Sequence, residues 1–273
     1  MKFTLSYSRR ILLLLLLLIL GMCLAVGFQA VIIRLNMPET AKLRICSVGQ
    51  QLLMFMLPAT ICALLSTRLP AELLGVRRLP SWQVLCLALL TFTVSIPAVN
   101  ALAQLCERLP WSARVIAEES ETQRVILLMT GSSGVADSLL ALCVLAVLPG
   151  LCEELFFRGA LQNMLRSHPM SNGLAIWIAA ICFSLLHAQP IGMIPRALLG
   201  AGFGYVALWS GSLWTAVACH MLNNALAVMT YQTGMNSEAI GLSTPVLSIF
   251  SALLTAAGLW LIHRNYAKAT RII

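Results

Sequence analysis

Glu153 and Glu154 stand side by side in an otherwise apolar stretch of this 273-residue chain, within Cys152-Glu153-Glu154-Leu155-Phe156-Phe157-Arg158-Gly159. His187 and His220 follow in the next apolar stretches. Ionisable side chains at membrane depth cost roughly 3 kcal/mol each or more, so four or five of them in segments fit for lipid mark a working site. Residues four apart share a helical face, so Glu154 and Arg158 can form an ion pair, whereas Glu153 points about 100° away and lacks that partner. The pair neutralises one carboxylate and leaves the other free to take a proton from water. His187 closes the apolar run from Ile176 to Leu186, with Phe183 one turn before it on the same face. His220 aligns with Asn224, four residues on, in a segment rich in Ala, Val, Leu and Met, where a polar stripe must face a partner or a cavity.

These side chains supply what hydrolysis of an acyl bond requires. A carboxylate and an imidazole can position and deprotonate water, while a second imidazole and an amide stabilise the developing oxyanion. Glu153, His187 and His220 can instead hold a zinc ion whose bound water is the nucleophile, and the residues alone leave both readings open. There is no HExxH helix, no GxSxG elbow and no CxxC pair, so the zincin, serine-nucleophile and redox-dithiol arguments have no starting point. The structural alternatives are an interfacial helix end at Glu153-Glu154 and interhelical hydrogen bonding at His220-Asn224.

The elements that must position them are apolar helices. The chain is 59% hydrophobic and 10% charged, with its apolar residues in long blocks, which identifies an integral membrane protein. Eight spans are expected: 11–33, 45–65, 82–105, 135–157, 171–189, 194–210, 212–231 and 244–263. They predict an all-α fold, a polytopic membrane helix bundle of about eight transmembrane helices enclosing an intramembrane catalytic cavity. The run from Ile11 to Ile33 reads as a span and not a cleaved leader, because it is longer than an h-region and lacks a clear cleavage site. With the amino terminus inside, the 18 Lys and Arg divide eleven inside to seven outside, which places both termini in the cytoplasm. Loop bias and anionic lipid account for the net charge of +8, so no nucleic-acid partner is implied. The connection from Cys106 to Gly134, with Glu118, Glu119 and Arg124, is expected outside as a solvated loop or surface helix. Gly200 and Gly204 form a small-xxx-small pair that sets helix spacing, and Gly211-Ser212-Leu213-Trp214 makes a tight turn into the helix carrying His220. The cysteines lie mostly in apolar runs and read as small buried hydrophobes.

The ordered motifs resemble the CPBP group of intramembrane proteases, also called the Abi or CAAX protease family, which includes type II CAAX prenyl endopeptidases and bacteriocin-processing proteins. EExxxR is Glu153, Glu154 and Arg158, FxxxH is Phe183 and His187, and HxxxN is His220 and Asn224. The resemblance covers roughly residues 135–231, leaving 1–134 as amino-terminal helices and an outer loop without family motifs, and 232–273 as a last span with a basic tail. It implies an intramembrane endopeptidase that cleaves a membrane-associated peptide or protein by activated water. Glu153 and His187 would activate the water, His220 and Asn224 would bind the carbonyl or oxyanion, and Glu154, Arg158 and Phe183 would support them. Family members have been described both as metalloproteases and as glutamate proteases, so zinc at Glu153, His187 and His220 stays open. A non-catalytic immunity or scaffold protein of the same fold is the alternative. A proton-coupled carrier is disfavoured by the lack of internal symmetry. A bacterial cytoplasmic membrane is the expected location, with the lipid bilayer itself as a partner.

Overall fold

The computed structural model describes residues 4–131, 134–167, 170–234 and 244–271, the last four of these by backbone alone. Lys2 and the side chains of Lys268 and Arg271, counted above toward orientation, lie outside the described residues, as does part of the expected outer loop. Nine helices and one single-turn helix, Pro70–Leu73, make up the fold among the described residues, with no strand. They are α1 (Tyr7–Ile33), α2 (Glu39–Ser66), α3 (Trp82–Glu107), α4 (Ala113–Thr130), α5 (Val135–Arg166), α6 (Asn172–Leu185), α7 (Met193–Ser210), α8 (Leu213–Thr233) and α9 (Pro245–Arg271). The architecture is the all-α polytopic bundle that the sequence predicts, and each expected span corresponds to one helix.

Five of these, α1, α2, α3, α5 and α9, are long and apolar enough to cross a membrane by length and composition alone. The other three expected spans are the helices around the polar cluster. At 14 residues α6 is about 21 Å long, short of roughly 30 Å of hydrocarbon. In α7 and α8 the polar residues themselves, such as Arg196, His220 and Asn224, dilute the apolar signal. The segment expected outside is an exposed helix, α4, in which Arg124 pairs with Glu121 and Arg114 with Glu118.

Helix α5 is central and packs against α2, α6, α7 and α8. On α1 the buried residues Arg10, Leu14, Leu18, Gly21 and Ala25 recur every three or four positions and face the bundle, while Leu12, Leu16, Ile19 and Leu20 point outward to lipid. A Cβ on Gly21 would lie 2.2 Å from the Leu53 carbonyl oxygen, so α1 and α2 meet backbone to backbone. Pro97 cannot donate within α3. Beside it, Ser251 of α9 accepts from the Ala98 N–H and donates to the Val94 carbonyl, so those backbone groups stay satisfied in an apolar setting. At the other end of the bundle, the Leu213 N–H and the Trp214 indole N–H donate to the carbonyls of Gly75 and Val76, and the Ser212 hydroxyl to that of Arg78. The start of α8 is thereby stapled to the 73–78 connection.

Candidate active site

The sequence of α5 changes winding where the chemistry lies. Leu148–Glu154 is α-helical, with Pro149 near its start, and Leu155–Gln162 is a π-helix, a rare geometry concentrated at functional sites. Gly150 sits where a Cβ would come within 2.6 Å of the Met221 side chain and 3.1 Å of its backbone nitrogen. Only glycine lets α5 approach α8 closely enough for Glu153 and Glu154 to meet His220.

The two carboxylates have separate environments. Glu154 Oε1 accepts from Arg158 Nη1 at 2.7 Å and from His220 Nδ1 at 2.8 Å, and both Glu154 and Arg158 are fully buried. Arg158 Nη2 donates to the Gly200 carbonyl at 2.7 Å, and one turn further Gln162 Nε2 donates to the Gly204 carbonyl at 3.1 Å. The small-xxx-small pair therefore exposes two backbone acceptors as well as setting spacing. A Cβ on Gly200 would stand 3.1 Å from both Arg158 and Phe183, and one on Gly204 2.6 Å from Gln162. Aromatic rings close the guanidinium in: it lies 4.7 Å from the Phe183 ring centre and 5.5 Å from that of Phe203, at cation–π distance.

Among the described residues Glu153 has no Lys or Arg within ion-pair distance; its Oε1 accepts from Gln51 Nε2 of α2 at 2.7 Å, and its buried Oε2 has no hydrogen-bond partner among them. That oxygen is 3.9 Å from Nε2 of His187 and 3.9 Å from Nε2 of His220. The imidazole tautomers follow from the acceptors on their far sides. His187 Nδ1 is 2.7 Å from the Phe183 carbonyl oxygen, which can only accept, so Nδ1 carries the proton. His220 Nδ1 faces the Glu154 carboxylate in the same manner. In their neutral forms both rings therefore turn an Nε2 lone pair toward the unpartnered oxygen of Glu153.

Phe183 earns its place by contact, its ring meeting His187 edge-on at 4.9 Å and His220 at 5.7 Å, while Phe203 stacks on His220 at 5.0 Å. After His187 the chain turns at Ala188 with φ of 52°, a left-handed conformation that a non-glycine residue adopts at some cost and that recurs at working sites. The His187 side chain is 29% exposed against 4% for His220, so the cluster opens on the His187 side.

The structure thus brings together Glu153, Glu154, Arg158, Phe183, His187 and His220. Asn224 stands one turn beyond His220, with its amide donating to the Leu145 carbonyl at 3.4 Å and accepting from Asn223. Sequence reasoning missed Gln51 and Gln162, both buried amides. Their signal was available: Gln50-Gln51 interrupts the apolar run of α2, and Gln162 continues the four-residue stripe of Glu154 and Arg158.

A zinc site with bonds of 2.0–2.1 Å sets its donor atoms about 3.3 Å apart. Both nitrogen–oxygen separations here are wider, and among the described residues no group of three His, Cys, Asp or Glu side chains is arranged to hold a metal ion. A gap of 3.9 Å is one that a water hydrogen-bonded to both groups can bridge.

Residues 135–226 match the family model for type II CAAX prenyl endopeptidase, Rce1-like, a stretch that holds every residue of the cluster except Gln51. No curated protein and no solved structure matches the chain.

Proposed function

We propose, from the match of residues 135–226 to the Rce1-like protease family model, that the chain is an intramembrane endopeptidase that hydrolyses a peptide bond of a membrane-associated peptide or protein. The observation that carries this reading is the convergence of both imidazole Nε2 atoms on the unpartnered Oε2 of Glu153.

In the proposed reaction, water donates one hydrogen bond to Glu153 Oε2 and one to His187 Nε2, which leaves an oxygen lone pair aimed at the scissile carbonyl. Glu153 takes the proton as the C–O bond forms, and later returns it to the leaving amine. In its protonated form His220, held at Nδ1 by Glu154, donates its Nε2–H to the developing oxyanion. The Asn224 amide, released from Leu145, is the second donor. Arg158 holds Glu154, and Glu154 holds the His220 ring.

A groove of about 730 Å³ between α1, α2 and α5 supports a membrane-associated substrate. Leu52 and Val144 line it, each one residue from a group at the cluster, Gln51 and Leu145. Its apolar walls suit a lipid tail or an apolar segment beside the scissile bond. The proposed orientation places both termini in the cytoplasm.

The test is cleavage of membrane-anchored reporter peptides by the purified chain in liposomes, read by mass spectrometry, with metal content measured on the same sample. A defined cleavage without stoichiometric metal supports direct activation by Glu153 and His187. Stoichiometric zinc whose removal abolishes cleavage moves water activation to a metal. An intact protein that cleaves no anchored peptide favours the immunity or scaffold reading.

A further inference from the structure

At the end of the bundle where α5 and α7 finish and α8 begins, a cavity of about 420 Å³ takes no part in the reaction above. Arg158 and Gln162, both fully buried, line it from within, and Glu72 and Arg166 line it nearer the surface. A second hollow of about 280 Å³ shares Glu72, Gly75 and Gly211 with it and adds Arg77 and Arg78. Because Arg158 lines the cavity, an occupant lies against the group that holds Glu154 and, through it, His220.

Arg166 is fixed there without being neutralised. Its Nε donates to Asn172 Oδ1 at 2.9 Å and its Nη1 to Asn163 Oδ1 at 3.0 Å, both neutral amides, and Asn163 is itself anchored by donating to the Leu73 carbonyl at 2.8 Å. The carboxylate on the same cavity, Glu72, pairs with Arg77 instead. Among the described residues no carboxylate lies within ion-pair distance of Arg166 or Arg78. An arginine that served only to lock the helix end has a carboxylate in its own cavity and does not use it. A guanidinium held by neutral groups, with no partner for Nη2 among the described residues, is preorganised for an anion, and its paired N–H groups match phosphate oxygens. Arg166 of α5 and Tyr266 of α9 put the cavity at the ends of two helices fit to cross a membrane, the level at which lipid phosphates lie.

We propose that Arg166, with Arg78 at the rim, forms a binding site for a phosphate group, carried by an anionic lipid headgroup or by a soluble phosphate. Binding there does not depend on the protease reading. In the test, the full chain in neutral detergent is titrated with phosphatidylglycerol, phosphatidylcholine or inorganic phosphate while thermal unfolding is followed, for wild type, Arg166→Gln, Arg78→Gln and Arg68→Gln. Arg68 is an exposed cation at the same end of the bundle that lines neither hollow, so it reports general surface charge. Wild type is expected to respond to phosphatidylglycerol at about tenfold lower concentration than to phosphatidylcholine, whose choline offsets the phosphate charge. Arg166→Gln should abolish that preference, Arg78→Gln should reduce it, and Arg68→Gln should leave it intact. Arg78 is exposed on the rim and carries the test if Arg166→Gln does not fold. Inorganic phosphate that competes with the lipid and stabilises the chain equally well assigns the site to a soluble phosphate, and a response to the lipid alone assigns it to the headgroup. Equal response to the two lipids with none to inorganic phosphate overturns the inference. So does a preference that survives in Arg166→Gln, or in Arg78→Gln should the former not fold, and so does one that falls equally in Arg68→Gln.

Discussion

Replacing Gln51 with Leu is expected to lower kcat/KM by about 10- to 100-fold while the unfolding midpoint stays near that of wild type. Among the described residues Gln51 Nε2 gives the Glu153 carboxylate the one hydrogen bond it receives, at 2.7 Å, so the substitution leaves both oxygens of a buried carboxylate without a donor there. A hydrogen bond to a charged group contributes about 1.5–3 kcal/mol, and each 1.4 kcal/mol is a factor of ten, which gives the range stated. Stability should move little because two effects oppose. Glu153 loses a donor, but the Gln51 Oε1 acceptor, itself buried without a partner, disappears too, each worth about 1–3 kcal/mol. Leu fills a similar volume in an apolar helix. The assay is single-turnover cleavage of an anchored peptide beside thermal unfolding in the same detergent. Activity within twofold of wild type would refute the argument that α2 positions the base. A fall in midpoint that tracks the fall in activity would mean that Gln51 only packs. Because Gln51 lies outside the matched stretch, the experiment also asks whether the amino-terminal helices complete the site.

Arg158→Met should destabilise the fold by about 3–5 kcal/mol, since it strands the buried Glu154 carboxylate and the Gly200 carbonyl together; detergent thermal unfolding reads this directly. Gly204→Ala should cost about 1–3 kcal/mol by overpacking, because its Cβ would lie 2.6 Å from Gln162 Oε1 and 2.8 Å from Ile176, and a midpoint equal to wild type would contradict the close packing of α6 on α7. Ala188→Gly should raise stability by about 1 kcal/mol by relieving the left-handed backbone after His187, and a lower midpoint would show that the turn is not strained.

How much was legible in the sequence follows from what stands out against an apolar background. Glu153, Glu154, Arg158, His187 and His220 were visible because charge at membrane depth is costly, and the Glu154–Arg158 pair because four residues bring two side chains onto one face. The same rule put Asn224 on the stripe of His220, but alignment on a stripe does not say which neighbour a side chain reaches, and its amide turns to Leu145 on α5. Gln51 escaped because an uncharged amide barely perturbs the apolar run of α2, and its role depends on a contact with Glu153, 102 positions away. Arg196 registered only as one outer charge among seven, since its contact with Gln189 is a tertiary fact. The end of α6 at Leu185 was also hidden. Ala188 bears no glycine signal for its left-handed turn, so the apolar run appeared to carry the helix through His187.

The most direct test of the account is the cleavage rate of Glu153→Gln against wild type on the same anchored peptide, with both proteins shown to be folded. The variant keeps the shape and an acceptor for Gln51 but cannot take a proton from water. Loss of about 100-fold or more in kcat is the predicted result. Turnover near the wild-type rate would contradict the assignment of Glu153 as the base and with it the mechanism built on the two imidazoles.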